Sequence, residues 1–287
     1  ITVDTMRPKL LSLDAARTVL ARTEPLEARP FTVGQEVRFT LEPGWQHGAD
    51  ARAGTETVPA TIHLGRGGGY RAYPLTLDAL LAATSICGLT RDYAARCPAE
   101  LLEPQLNYWL REGLAGRRAT RAFQLLVTAG VGSAITRASI KPFSNLALLD
   151  KAVDGIEARY GDGEILVDYK FCHTLRRTDV RLIVPGQRRV ITGTGTGDDE
   201  WAVGVQFRNS LIGDGRTSID GYLFRWVCTN GAIDTRATSG TWTRRAGGGE
   251  DEVYEWARSA VDEVLGGLEP ALDAIDRAER ALGMRGR

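Results

Sequence analysis

Arg176, Arg177, Arg181, Arg188, Arg189 and Arg208 are the residues whose type and spacing best suit chemistry. A guanidinium stays charged at every working pH, and its fork of N–H donors matches a phosphate oxygen pair. Tyr169, Phe171 and His173 lie beside the first of these arginines in the sequence. A basic sheet face with aromatic neighbours is how a single-strand nucleic-acid groove works, the arginines following phosphates while rings stack on bases. The competing reading is a twisted sheet whose solvent face carries charges that discourage edge pairing. A second basic run, Arg117, Arg118 and Arg121, can hold phosphates or simply solvate a turn.

Other chemistries find little support. The run Gly65 to Tyr70 is rich in glycine, but a phosphate-binding loop needs Gly-Lys-Ser/Thr leading into a helix, and Arg71-Ala72-Tyr73-Pro74 follows instead. Gly193, Gly195 and Gly197 alternate as in a dinucleotide loop, yet Asp198-Asp199-Glu200 leads on to a strand rather than a helix. Those three acids read as a solvated turn more readily than as a cation site. His47, His63 and His173 show no metal spacing, and Ser210 is not in a nucleophile elbow. Cys228, flanked by Trp226 and Val227, reads as a buried thiol, and Cys87, Cys97, Cys172 and Cys228 have no C-x-x-C spacing. We therefore expect no catalytic residue, no metal and no cofactor, and four free thiols of the kind a reducing compartment keeps.

Charge narrows the partners. The 36 basic and 36 acidic side chains cancel, so the whole molecule has no field to attract nucleic acid or an anionic membrane. The balance is local: residues 110–190 hold 14 Lys/Arg against 8 Asp/Glu, whereas 246–287 hold 5 against 10. Any nucleic-acid contact belongs to the middle. No run reaches the ~18 apolar residues of a membrane span, and the first residues lack a secretory pattern. The expected location is the cytoplasm of a bacterial host, or a virion, and Ile1 suggests that the native start lies upstream or has been removed.

The elements that position these residues follow from periodicity. Ser12 caps a helix to about Arg22, and Phe31, Val33, Val37, Phe39 and Leu41 alternate as one strand with its odd-numbered face inward. Pro59 to Leu64 is a strand; Thr76 to Ile86 and Pro98 to Leu114 are helices, the second with the apolar stripe Leu102, Leu106, Trp109 and Leu110. Strands are expected over 164–171, 179–184 and 201–207, with 219–228 apolar on both faces and Asn230-Gly231 turning after it. The tail is expected as two helices broken at Gly266-Gly267 and Pro270. The sum is an α+β fold, an antiparallel sheet with N-terminal and C-terminal helices packed around it.

Gly204-Val205-Gln206-Phe207-Arg208-Asn209-Ser210, followed by Phe224-Arg225-Trp226-Val227-Cys228-Thr229-Asn230-Gly231, resembles the domain of unknown function 932, a family met in phage and plasmid genomes. Upstream, Leu106-Asn107-Tyr108-Trp109-Leu110, Ile135-Thr136-Arg137-Ala138-Ser139 and Phe143-Ser144-Asn145-Leu146-Ala147-Leu148-Leu149 are similar to further motifs of that family, with Ile140-Lys141-Pro142 as a departure. The resemblance covers about Leu75 to Ile233 and implies a family-like core over 75–245, between an N-terminal part at 1–74 and acidic helices at 246–287. The resemblance implies the fold more than the function; taken with the arginine face, it points to a phage- or plasmid-type accessory protein binding nucleic acid, with a homo-oligomer expected by analogy with single-strand annealing proteins. The alternative is a structural or interaction protein, carried in a virion or free.

Overall fold

The computed structural model describes residues 10–24, 27–32, 37–45, 57–66, 69–110, 122–140, 143–168, 172–173, 177–191, 199–212, 216–225, 232–234, 241–244 and 250–285. In chain order the elements are β1 (Leu10–Ser12), α1 (Leu13–Thr23), β2 (Glu27–Thr32), β3 (Val37–Leu41), β4 (Thr57–Arg66), β5 (Gly69–Thr76), α2 (Leu77–Ile86), α3 (Arg91–Arg96), α4 (Ala99–Tyr108), β6 (Ala122–Thr128) and β7 (Val131–Arg137). They continue with α5 (Asn145–Tyr160), β8 (Leu166–Asp168), β9 (Cys172–His173), β10 (Thr178–Ile191), β11 (Asp199–Asn209), β12 (Thr217–Arg225), β13 (Ala232–Asp234), β14 (Thr241–Arg244) and α6 (Glu250–Arg285). Two compact units result, residues 23–141 and residues 1–22 with 142–287. Their boundaries differ from the divisions at 74/75 and 245/246 expected above.

The discontinuous unit is built on an antiparallel sheet of order β1-β8-β10-β11-β12-β13, with β9 on β10 and β14 on β12. The α+β expectation holds. Val180, Leu182, Val203, Val205, Phe207, Ile219 and Leu223 point to one face and join Ala16 and Leu20 of α1, Leu149 and Val153 of α5, and Val261, Val264 and Leu268 of α6 in a single apolar core. The helices thus gather on one face of the sheet rather than around it. Gly221 sits where a Cβ would come within 3.0 Å of the Val264 carbonyl, and Gly155 where it would meet Val261 at 2.9 Å, so both glycines let α6 lie close.

α6 runs unbroken for 36 residues with Pro270 inside it, where two helices were expected. Proline removes one backbone bond and costs a helix interior about 3 kcal/mol. Burying Val253, Ala257, Val261, Val264, Leu265, Leu268 and Leu272 along one stripe outweighs that loss.

Residues 23–141 hold the second sheet, of order β2-β6-β7-β5-β4-β3, antiparallel except for the Leu75–Gly132 bridge between β5 and β7. The strand expected over 31–41 is two strands, β2 and β3, at opposite edges of this sheet. Both alternate with period 2, so the pattern does not register the interruption between them. The apolar run after Phe123 is the hairpin β6–β7, turned by Ala129 and Gly130 at φ 50° and 82° as a two-residue loop between twisted strands requires. α2, α3 and α4 cover one face of the sheet around Phe39, Ile62, Leu75 and Leu125.

α4 also closes an edge. Asn107 accepts from the Phe39 N–H at 2.8 Å and donates to its carbonyl at 2.9 Å, Glu103 accepts from the Leu41 N–H at 2.8 Å, and Glu100 accepts from the Gly44 N–H at 2.6 Å. Spacings of three and four place these side chains on one helix face, where they stand in for a missing neighbour strand. No helix among the described residues is long and apolar enough to cross a membrane.

In the first sheet the ring of fully buried Tyr222 lies over Gly204, and its hydroxyl donates to the Leu182 carbonyl two strands away at 3.1 Å. Burial, with Asp168 and Asp179 nearby, holds the Tyr222 phenol well above its ordinary pKa, so it remains a donor. A Cβ on Gly204 would fall 2.3 Å from the Tyr222 Cζ. Gly204→Ala is therefore expected to lower stability by about 1–3 kcal/mol, measured by urea unfolding, and wild-type stability in that variant would refute the packing.

Candidate nucleic-acid interface

Arg177, Arg181 and Arg208 converge on the sheet face opposite the helices. Strand register sets Arg181 against Gln206 and Gln206 against Asp220, while one row away Asp179 faces Arg208 and Arg208 faces Ser218. Arg181 Nη1 lies 3.4 Å from Asp168 Oδ2, and Arg177 Nη2 lies 3.0 Å from Asp179 Oδ2. Arg208 bridges two acids, with Nε 3.5 Å from Asp179 Oδ2 and Nη1 3.2 Å from Asp220 Oδ2. Gln206 donates to the other oxygen of Asp179, and the Ser218 hydroxyl donates to Asp220 at 3.4 Å.

This face is therefore a ladder of three cations and three carboxylates with no net charge. The acid side chains are 9–11% exposed, and the arginines 64%, 30% and 40% in sequence order. Arg181 Nε and Arg208 Nε are buried without a hydrogen-bond partner, and of the two only Arg208 Nε has a carboxylate within ion-pair distance. Phosphates approaching such a ladder compete with carboxylates already in place.

Arg188 and Arg189 lie apart from the ladder, beyond the register shift that follows Val184 in β10. Arg188 Nη1 pairs with Glu200 Oε2 at 3.1 Å, and Arg189 Nε with Asp276 Oδ1 on α6 at 3.3 Å. Arg176 lies outside the described residues, as do Tyr169, Phe171, Arg117, Arg118, Arg121, the glycines of 193–197, Asp198 and the stretch Trp226–Gly231. Each candidate arginine whose side chain is described thus has an acidic partner. The positive excess counted along the sequence does not survive as an excess on this surface, because Glu200, Asp220 and Asp276, from outside residues 110–190, join Asp168 and Asp179 as partners.

The segment around Phe143–Asn145 and the end of β11 meet at a buried amide. Asn209, the last residue of β11, donates to the Phe143 carbonyl and to Asn145 Oδ1, both at 2.8 Å, and accepts from the Thr217 hydroxyl at 2.9 Å. Ser144 caps α5 by accepting from the Ala147 N–H at 3.0 Å. Asn209 ties the start of α5 to the β11–β12 connection, which is a structural duty. Cys87 and Cys97 are free and buried, and burial pushes the Cys87 thiol up to about 12, so it is inert at neutral pH.

Other basic residues, not singled out by clustering along the chain, lie in the second sheet: β3, β4 and β5 carry Arg38, Arg66, Arg71 and His63 and not one aspartate or glutamate, with Arg38 and His63 on one face and Arg71, opposite Leu64, on the other. On the face turned away from the core, Arg38 is exposed and pairs across the strands with His63, which pairs with Ala72. Thr40 and His63 Nε2 are 3.0 Å apart. Tyr70, 61% exposed, stands on the same face one row further along, opposite Gly65. Arg71 lies over the Tyr73 ring at 5.3 Å near the hairpin end. Among the described residues no carboxylate forms an ion pair with Arg38 or Arg71. The discoverable signal was the absence of acids over 57–76, a feature that a search for clustered arginines does not register.

No family model, no curated protein and no solved structure matches the chain.

Replacing Asn209 by Leu leaves the Phe143 carbonyl, Asn145 and Thr217 without their partner, and is expected to lower stability by about 2–4 kcal/mol. Arg208→Ala, which leaves nearly buried Asp220 without a cation and Asp179 with Arg177 alone, is expected to be similarly harmful, whereas Arg177→Ala changes stability by less than about 0.5 kcal/mol. Chemical denaturation of the three variants checks this, and an Arg208→Ala protein as stable as Arg177→Ala would show that the ladder contributes nothing.

Proposed function

We propose that this chain is a phage- or plasmid-type accessory protein that binds single-stranded nucleic acid, and that phosphates are held by the acid-free strands β3–β5. The observation that supports this reading is the contrast between two arginine sets. Those of β10 and β11 are matched by carboxylates, whereas Arg38 and Arg71 lie on strands with no acidic residue and form no ion pair with a described carboxylate. A binding surface for a polyanion needs charge that the protein has not already neutralised.

A structural or interaction protein, self-associating or virion-associated, is the second reading. Tyr93 of α3, Leu101 and Tyr108 of α4, and Trp109 directly after α4 favour it, being 43%, 57%, 58% and 37% exposed. Exposed large apolar side chains gathered on neighbouring helices are common at protein contacts.

Fluorescence anisotropy with a labelled oligo-dT across a salt series separates the two readings. Wild-type affinity is expected to fall with salt, with a log–log slope of about 0.7 for each phosphate neutralised. Arg38→Ala is expected to reduce that slope by about 0.7 and to weaken binding at low salt. Arg177→Ala with Arg188→Ala is expected to leave both within error. Absence of binding by wild-type protein at low salt would leave the interaction reading in its place.

A further inference from the structure

We propose that the exposed side of α4 is the contact between two copies of this chain, packed as an antiparallel helix pair about a two-fold axis; this rests on the interaction reading above, deepens it, and is independent of nucleic acid. Leu101, Pro104 and Tyr108 recur at intervals of three and four, which places them on one side of α4. Leu101 and Tyr108 are more than half exposed, and Pro104 is exposed between them. The other side of the helix is occupied. Leu102 and Leu106 enter the core, while Asn107 and Glu103 hold the β3 edge. Tyr93 of α3 flanks the stripe, its hydroxyl accepting from Gln105 Nε2 at 2.7 Å, and Tyr108 stands edge-on to Trp109 with ring centroids 5.5 Å apart. These contacts hold both tyrosines in place before a partner arrives, which lowers the entropy lost on association.

Two features of the stripe fit a second copy. Its side chains carry no charge, because Glu100 and Glu103, the two acids of α4, accept from the backbone N–H groups of Gly44 and Leu41. A two-fold axis brings a patch against itself, so any charge on it would meet its like, and an uncharged patch avoids that repulsion. A charged partner peptide would find no counter-charge there. The stripe is also symmetric along its length. With the axis between Pro104 and Gln105, Leu101 and Tyr108 lie equally far from it, about 5 Å along the helix at 1.5 Å per residue. Leu101 of one copy then lies level with Tyr108 of the other, twice per dimer. An antiparallel pair also sets opposite helix dipoles side by side. One helix pair flanked by tyrosines falls at the small end of interface sizes, below about 1,200 Å², so a reversible dimer is expected.

Sedimentation equilibrium of the full chain over a wide concentration range tests this. Wild type is expected to pass from monomer to dimer and no further, because a closed two-fold contact leaves no patch free. Leu101→Glu and Tyr108→Lys each remove an apolar contact twice per dimer and are expected to weaken association about tenfold or more. Both sites face solvent in the monomer, so each variant is expected to melt as wild type does. The double variant, Leu101→Glu with Tyr108→Lys, sets opposite charges level across the axis. It is expected to regain most of the lost affinity at low salt and to lose it again at high salt. Failure of that rescue overturns the antiparallel pairing. Single variants that dimerise as tightly as wild type overturn the α4 contact while leaving self-association intact, and wild-type assemblies larger than a dimer overturn the closed two-fold. A wild type that stays monomeric at every concentration removes the self-association on which the inference stands.

Discussion

A carboxylate nine-tenths buried on a sheet has to be matched by positive charge, and that constraint decides what most of the described arginines can do. Asp168, Asp179 and Asp220 are held at 9–11% exposure on three different strands, β8, β10 and β12. Desolvating an ion costs several kcal/mol unless a partner and hydrogen bonds offset it. Arg181 and Arg208, reaching across from neighbouring strands, supply the offset, and Gln206 fills the remaining lone pairs of Asp179. Sheet register and charge matching are therefore the same requirement here. A slip of one residue would turn Arg208 and Gln206 into the apolar core and bring Val205 and Phe207 out among the acids.

This explains which parts of the chain were legible. The strands β11 and β12, the core face of β10 and the helices α1 and α2 follow from local periodicity and caps, which act over a few residues and are written in consecutive positions. The fate of the arginines is not local. Arg208 pairs with an acid twelve residues later, Arg181 with one thirteen residues earlier, and Arg189 with Asp276, eighty-seven positions away. Clustering along the chain shows positive charge, but neutralisation is set by strand order. The unbroken α6 is a similar case: Gly266, Gly267 and Pro270 are strong local breakers, and the long-range burial of its apolar stripe overrides them.

Edge protection shows the same economy of means in the other sheet. β2 carries Pro30, which has no N–H to offer a new strand. β3 has outward N–H groups taken by Asn107 and Glu103 of α4, and Glu100 takes that of Gly44 just beyond the strand. The acidic residues of α4 are thereby committed to backbone amides at the edge. Tethered in this way, Glu100 has its carboxyl held below the usual range by the hydrogen bonds it accepts.

The two sheets thus use charge in opposite ways. In the first, acids and arginines alternate from strand to strand, so the face is internally satisfied and an incoming anion would have to displace a carboxylate that has nowhere else to go. In the second, β3, β4 and β5 present Arg38, His63 and Tyr70 on one face with no acid among their residues. Among the described residues no carboxylate is paired with Arg38 or Arg71. The density of arginine is thus a poor measure of unneutralised charge, since on β10 and β11 each described arginine stands against an acid.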